Sequence, residues 1–312
     1  MKANIHYLFI LCLLILGSCK NGNASSQSKS ETPQDTIKAI KMPAIPQMMT
    51  APEQRADFLA KHYWDNVNFA DTNYIHHPEV TEQAWADYCD LLNHVPLETA
   101  QQAMRNVIDR TNVDKKVFTY ITDLADKYLY DPNSPMRNEE FYIPVLEAMI
   151  ASPVLDETEK IRPQARLKLA QKNRIGTKAL NFTYTLASGA QGSLYQLKAE
   201  YLLLFINNPG CQACTETIEG LKNAPVINQL LQEKKLVLLS IYPDEELDEW
   251  KKHLSEFPNE WINGYDKKFT IKEEQVYDLK AIPTLYLLDK DKTVLLKDAT
   301  APAIEAYLMQ HQ

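Results

Sequence analysis

Cysteine is scarce in this chain, with five in 312 residues. That number is too small for a scaffold held together by disulfides, in which cysteines occur at high density. A zinc site is also disfavoured, because zinc usually takes four nitrogen or sulfur ligands. Only one closely spaced cysteine pair is present, Cys211 and Cys214, and the nearest histidine after it, His253, has no partner beside it. We therefore predict no metal, and the spacing of the pair suits redox chemistry instead.

Positive charge is also in deficit, since the formal net charge of the chain is −8. Binding to nucleic acid needs a basic face, so this balance argues against a nucleic-acid partner. It argues equally against electrostatic attachment to an anionic membrane surface. The hydrophobic content of 45% and the charged content of 24% are ordinary for a globular protein with a buried core.

Apolar runs long enough to cross a membrane are missing from the N-terminus. The run from Ile5 to Leu16, after Lys2, is too short for a comfortable transmembrane helix and is typical of a signal peptide. Leu16-Gly17-Ser18-Cys19 then resembles the lipobox of bacterial lipoproteins. The resemblance implies cleavage before Cys19, acylation of its thiol and anchoring to a membrane, with the protein facing the periplasm. An ordinary secretory signal with a chance cysteine is the alternative, and the choice between inner and outer membrane stays open.

Alternating strand patterns are nearly absent before residue 175, where apolar residues recur at helical spacing instead. Leu97, Ala100 and Met104 are one example, and a last helix is predicted over 164–172. Cys89 falls on the apolar face of a predicted helix, where a free cysteine behaves as a small hydrophobe. The predicted organisation is a signal peptide (1–18), a flexible tether (19–48), an all-α domain (49–176) and an α/β domain (177–312).

The pattern changes to alternating strands and helices near residue 178. Three continuous apolar runs, Leu202–Ile206, Leu236–Ile241 and Leu285–Leu288, are typical of strands buried on both faces. Predicted helices separate these runs, one with Ile218 and Leu221 and one over 245–257. Strands that alternate with helices predict an α/β sheet.

Cys211-Gln212-Ala213-Cys214 lies at one of the predicted strand-to-helix junctions. The thiolate is the nucleophile in disulfide exchange, and the N-terminus of a helix favours an anion. Pro209 and Gly210 make a tight turn that should leave the Cys211 sulfur accessible. Cys214, one turn further in, is the expected resolving thiol. The alternative is an inert structural disulfide, although a loop this short stabilises a fold only weakly.

The segment from about 181 to 312 resembles the thioredoxin superfamily, and within it the membrane-anchored, TlpA-like thiol–disulfide interchange proteins. The Cys211–Cys214 motif, the apolar strand before it and Ala281-Ile282-Pro283-Thr284-Leu285 carry this resemblance. It implies a thioredoxin fold, in which helices flank a central mixed sheet. It also implies active-site thiols at Cys211 and Cys214 and a cis-proline at Pro283, where a substrate chain can pair. The further substrate contacts that we expect are Pro209, Gly210, Gln212, Ala213 and Ile282.

The helical region resembles an uncharacterised all-α module that precedes thioredoxin domains in some Gram-negative lipoproteins. Phe58-Leu59-Ala60 and Tyr63-Trp64-Asp65 carry this weaker resemblance, and it implies no known chemistry.

The function predicted from these features is that of a lipid-anchored periplasmic thiol–disulfide oxidoreductase acting on protein substrates. No cofactor is expected, because the dithiol itself carries two electrons, but another redox protein must regenerate it. The alternative is a non-catalytic binding or assembly lipoprotein that uses the thioredoxin-like domain as a scaffold. A peroxidase lacks support, because peroxiredoxins place a threonine three residues before the reactive cysteine and Asn208 stands there. The direction of electron flow and the substrate stay open.

Overall fold

The computed structural model describes residues 39–311. The predicted signal peptide, the lipidation site Cys19 and most of the predicted tether lie outside the described residues. Within 39–311, no helix combines the length and the apolar character needed to cross a membrane.

The first half of the described chain is helical, as predicted. Short 3-10 turns and one π-helical turn, Asp126–Tyr130, connect the main helices. The helices are α1 (Pro52–His62), α2 (Pro78–Leu92), α3 (Leu97–Arg110), α4 (Lys115–Ala125), α5 (Glu139–Ala151) and α6 (Glu157–Ala170).

The helical domain has its own aromatic core. Trp85, Tyr88 and Phe118 are fully buried there, and Cys89 joins them at 2% exposure. The interpretation of Cys89 as a small hydrophobe is therefore confirmed, and burial raises the pKa of its thiol far above the ordinary value.

The prediction for the last helix of this domain was wrong at its start, because α6 begins at Glu157 rather than near 164. Asp156 accepts a hydrogen bond from the backbone N–H of Glu159, and the Glu159 side chain accepts one from the backbone N–H of Asp156. This reciprocal capping box satisfies two backbone donors and fixes the first turn.

The second half is an α/β domain built on a seven-stranded mixed sheet in the order β2-β1-β5-β4-β3-β6-β7. Strands β3, β4 and β5 are mutually parallel and the other pairings are antiparallel. The strands are β1 (Thr183–Leu186), β2 (Gln191–Ser193), β3 (Tyr201–Ile206), β4 (Leu236–Tyr242), β5 (Ile262–Tyr265), β6 (Thr284–Asp289) and β7 (Val294–Lys297). The helices are α7 (Gln212–Lys222), α8 (Pro225–Gln232), α9 (Leu247–Lys252), α10 (Thr270–Glu273) and α11 (Ala301–Gln310).

Central strand β3 is apolar throughout because both of its faces are covered. Leu203 and Phe205 pack in one hydrophobic cluster with residues of α7, α8 and α11. Leu202 and Leu204 point to the opposite face and pack in a second cluster, with Tyr277. This two-sided burial is what the continuous apolar run predicted.

The pairing of β3 with β6 places two sequence-distant segments at one edge of the sheet. The strands are antiparallel, with Ile206 opposite Thr284. The loop that follows β3 and the loop that precedes β6 therefore leave the sheet side by side. The first loop leads to Cys211 and the second contains Pro283.

The two domains meet at a buried cluster of charged side chains. Glu139, the first residue of α5, forms ion pairs with Lys280 and Lys297 of the α/β domain. The side chains of these residues are only 11%, 7% and 6% exposed, respectively. Lys280 also lies 3.1 Å from a carboxylate oxygen of Asp278. Buried charges of this kind are tolerated only when they are paired, so the cluster links the domains tightly.

Candidate redox site

Cys211 occupies the N-cap of α7, where its sulfur faces the backbone of the first helical turn. The backbone N–H of Cys214 donates a hydrogen bond to the Cys211 Sγ over 3.3 Å. Hydrogen bonding from the first turn and the helix dipole both favour negative charge on that sulfur. The side chain is half-buried, so its sulfur also remains open to solvent.

Cys214 lies in the first turn of the same helix but faces the protein interior, with 2% exposure. Burial, followed by the hydrogen bond with Cys211, raises the pKa of the Cys214 thiol to about 12, against a small lowering by the Asn208 backbone. Near neutral pH this thiol is protonated in the dithiol state. The two sulfurs are thus unequal in exposure, in the sense that the sequence predicted.

Pro283 lies close to the Cys211 sulfur, as predicted, and the Ile282–Pro283 peptide bond is cis. The Cys211 thiol donates a hydrogen bond to the carbonyl oxygen of Ile282 over 3.6 Å. The structure therefore brings Cys211, Cys214, Ile282 and Pro283 together from two segments about 70 residues apart in the chain.

The other predicted contact residues surround Cys211 in the loop and in the first turn of α7. Gly210 is exposed and has a φ of +70°, a left-handed conformation that glycine adopts without strain. Gln212 and Ala213 are exposed, and Pro209 is half-buried. All four are accessible from solvent, and their contact with a substrate stays a prediction.

Sequence reasoning missed Asn207 and Asn208, which hold this loop in place. Asn207 is 3% exposed, and its side-chain amide donates to the Ser240 hydroxyl at 2.8 Å. Asn208 donates to Asp244 at 2.7 Å. The only sequence signal was a pair of amides directly after an apolar strand, and both partners lie more than 30 residues away.

Residues 39–311 contain no candidate metal centre. No cluster of three or more histidine, cysteine, aspartate or glutamate side chains in that range could hold an ion.

Comparisons with known proteins agree with this two-domain description. Residues 18–173 match a family described as a domain of unknown function, DUF5106, and residues 199–294 match a family described as thioredoxin-like. The chain is similar to the crystal structure of a thioredoxin-like protein from Bacteroides caccae. The identity is 83%, the TM-score is 0.86, and the match covers 89% of this chain and 100% of the other.

Two further solved structures match only the C-terminal part. A C-terminal domain of an uncharacterized protein from Bacteroides fragilis is 70% identical, with coverage of 44% of this chain and 98% of the other and a TM-score of 0.43. The thioredoxin domain of a thiol-disulfide oxidoreductase from Bacteroides vulgatus is 20% identical, with coverage of 44% and 97% and a TM-score of 0.40. No curated protein matches the chain.

The fold and the paired thiols define a thioredoxin-like protein, and the predicted resemblance to that superfamily is confirmed. The chain belongs to the thioredoxin-like proteins in which a helical DUF5106 domain precedes the thioredoxin-like domain. The predicted module of unknown chemistry is this helical domain.

Proposed function

We propose that the protein is a thiol–disulfide oxidoreductase that exchanges disulfides with protein substrates through Cys211 and Cys214. One observation carries the proposal. An accessible thiol at the N-cap of α7 lies within hydrogen-bond distance of the backbone carbonyl that precedes cis-Pro283. The nucleophile and the cis-proline loop thereby lie at the same end of the sheet, where an extended substrate chain can reach both.

In the reducing direction, the Cys211 thiolate attacks one sulfur of a substrate disulfide. The substrate S–S bond breaks, a mixed disulfide forms on Cys211, and the released substrate sulfur takes up a proton. Cys214 then loses its proton and attacks the Cys211 sulfur, which expels the second substrate thiol. Two electrons have passed from the dithiol to the substrate, and the Cys211–Cys214 disulfide remains.

The same steps in reverse oxidise a substrate dithiol. In either direction no bound cofactor takes part, and a separate redox protein must restore the starting state of the cysteine pair. The high pKa of Cys214 suits this order of steps, because a thiol that stays protonated leaves the first attack to Cys211.

The proposal also places the protein in the cell envelope, where a lipid on Cys19 would anchor it with its redox domain facing the periplasm. The lipobox-like residues Leu16 to Cys19 are its support. An oxidising compartment would let the cysteine pair cycle between its two states. The alternative of a non-catalytic scaffold is not favoured, because a scaffold gives no reason for an accessible thiol beside a cis-proline.

A redox titration of the Cys211–Cys214 couple tests the proposal. We expect a reversible two-electron transition between about −270 and −120 mV, the range of redox-active members of this superfamily. A value near the first limit favours a reductase and one near the second an oxidant. Cys214→Ser is the control. It cannot form the Cys211–Cys214 disulfide and should show no such transition. A couple below about −300 mV, as structural disulfides have, would refute the proposal.

A further inference from the structure

The helical domain borders the redox site directly. A groove with a volume of about 460 Å³ starts at Ala213 and Pro283 and runs between α7 and the start of α11. Pro132, Asn133 and Arg137, all from the helical domain, close its far side. We call the segment 131–138, between the π-helical turn and α5, the wall loop.

The wall loop is held in a defined conformation. The backbone N–H of Asn133 donates to Asp131 at 2.8 Å, and the Ser134 hydroxyl donates to the Tyr128 carbonyl at 2.6 Å. The Arg137 guanidinium crosses to the α/β domain and donates to the Asp298 carbonyl at 2.5 Å. Asp298 itself lines the groove. Hydrogen bonds thus hold the wall loop both within the helical domain and to the α/β domain.

The wall loop and the cis-proline loop also share one buried anchor. Glu139 directly follows the wall loop, and its ion-pair partner Lys280 directly precedes Ala281-Ile282-Pro283. A displacement of either loop would separate two charges that are almost excluded from water, which is costly. The distance between the helical wall and Pro283 is therefore fixed by the fold.

The lining of the groove suits a polypeptide better than a small charged molecule. Three prolines supply apolar surface: Pro132, Pro283 and Pro302. Three side chains supply neutral hydrogen-bonding groups: Asn133, Thr217 and Thr300. The charged residues of the lining are Arg137, Glu216 and Asp298, so both signs of charge are present. Cys211 does not line this space, so a small disulfide can react there without entering it, whereas a chain docked along Pro283 can extend into it.

We propose that the helical domain forms the far wall of a polypeptide-binding groove, and that the wall loop makes the enzyme favour protein disulfides over small ones. This inference rests on the proposed function. It assigns a substrate-selecting role to a domain whose cysteine in the described residues, Cys89, is buried.

Filling the groove from the helical side tests the inference in the full chain. Asn133 is exposed in a turn, so Asn133→Trp adds bulk to the groove without disturbing the core. We expect kcat/KM for insulin to fall about tenfold, mainly through KM, while the rate with 2-hydroxyethyl disulfide stays within twofold of wild type. Lys116→Trp is the matched control, since Lys116 is exposed on α4 and does not line the groove.

Asn133→Arg repeats the test with a soluble side chain if the tryptophan variant aggregates. Gly220→Trp fills the groove from α7, where an added Cβ would meet only Ala301 at 3.8 Å. This variant should also lose activity with insulin and keep its activity with 2-hydroxyethyl disulfide. The inference is overturned if the Asn133 variants reduce insulin like wild type, or if they lose both substrates equally. A wild-type protein that reduces neither substrate would instead show that the proposed function is wrong.

Discussion

Cys211→Ser is expected to lower the catalysed reduction of insulin by about 10³-fold or more, to the uncatalysed background. A serine hydroxyl does not ionise near neutral pH and cannot form a disulfide. Cys214 cannot replace it, because that thiol is 2% exposed and burial raises its pKa to about 12. The turbidity of precipitating insulin B chain, with dithiothreitol as electron donor, reports the rate.

The matched control for this loss is Cys89→Ala. Cys89 is a buried cysteine of the helical domain. Its substitution tests whether the loss of activity is specific to Cys211 or follows from the removal of any cysteine. We expect this variant to retain the wild-type rate within about twofold, after correction for the folded fraction. Equal rates for Cys211→Ser and wild type would instead support the scaffold alternative.

Glu139→Ala is expected to destabilise the protein by about 3–5 kcal/mol. The substitution removes the carboxylate that Lys280 and Lys297 share at the domain boundary. The two lysine side chains are only 7% and 6% exposed, so water cannot replace it. Asp278 and Asp298 stay at 3.1 Å and 3.9 Å from Lys280, but Lys297 loses its ion-pair partner. The change in the free energy of unfolding is measured by urea titration of the two proteins at pH 7.

Glu157→Ala gives this experiment a matched control. Both glutamates are the first residues of helices in the same domain, but the Glu157 side chain is 87% exposed in its ion pair with Lys160. An exposed pair contributes about 0–1 kcal/mol. Equal losses of stability from the two substitutions would contradict the structural role assigned to the buried cluster.

The pH dependence of that difference follows from the ionisation of Glu139. Burial raises the pKa of this carboxyl, but Lys297 and Lys280 together outweigh burial, so its pKa in the folded protein is lowered. Its stabilising contribution is therefore complete above its unfolded pKa and is lost as the pH falls through the lower, folded value. The gap between wild type and Glu139→Ala should narrow at acidic pH. Asp298, in the same cluster, shifts the other way because burial dominates there.

The parts of the fold that could be predicted from sequence are those governed by local patterns. The three buried strands are recognisable in the sequence as continuous apolar runs. The dithiol lies at the junction between one of these strands and a helix. Strand β5 had no such signal, because Ile262-Asn263-Gly264-Tyr265 is short and contains a glycine. That glycine is required by a distant residue, since a Cβ at position 264 would lie 2.9 Å from the Tyr184 ring.

The missed parts of the site depend on contacts between remote segments. Lys280 and Glu139 are 141 residues apart, and neither has a local pattern that marks it as buried. The contribution of the helical domain to the groove depends on the same long-range packing. Periodicity and motif spacing describe what each segment does by itself, and these features exist only once the domains have docked.

The measurement that tests the central claim most directly is capture of a substrate by Cys214→Ser. Without the resolving thiol, the mixed disulfide on Cys211 cannot be released by internal attack. After incubation with insulin, mass spectrometry of tryptic peptides should find an insulin chain joined to Cys211, and dithiothreitol should free it. Insulin left intact, or found on the buried Cys89 rather than on Cys211, would contradict the account.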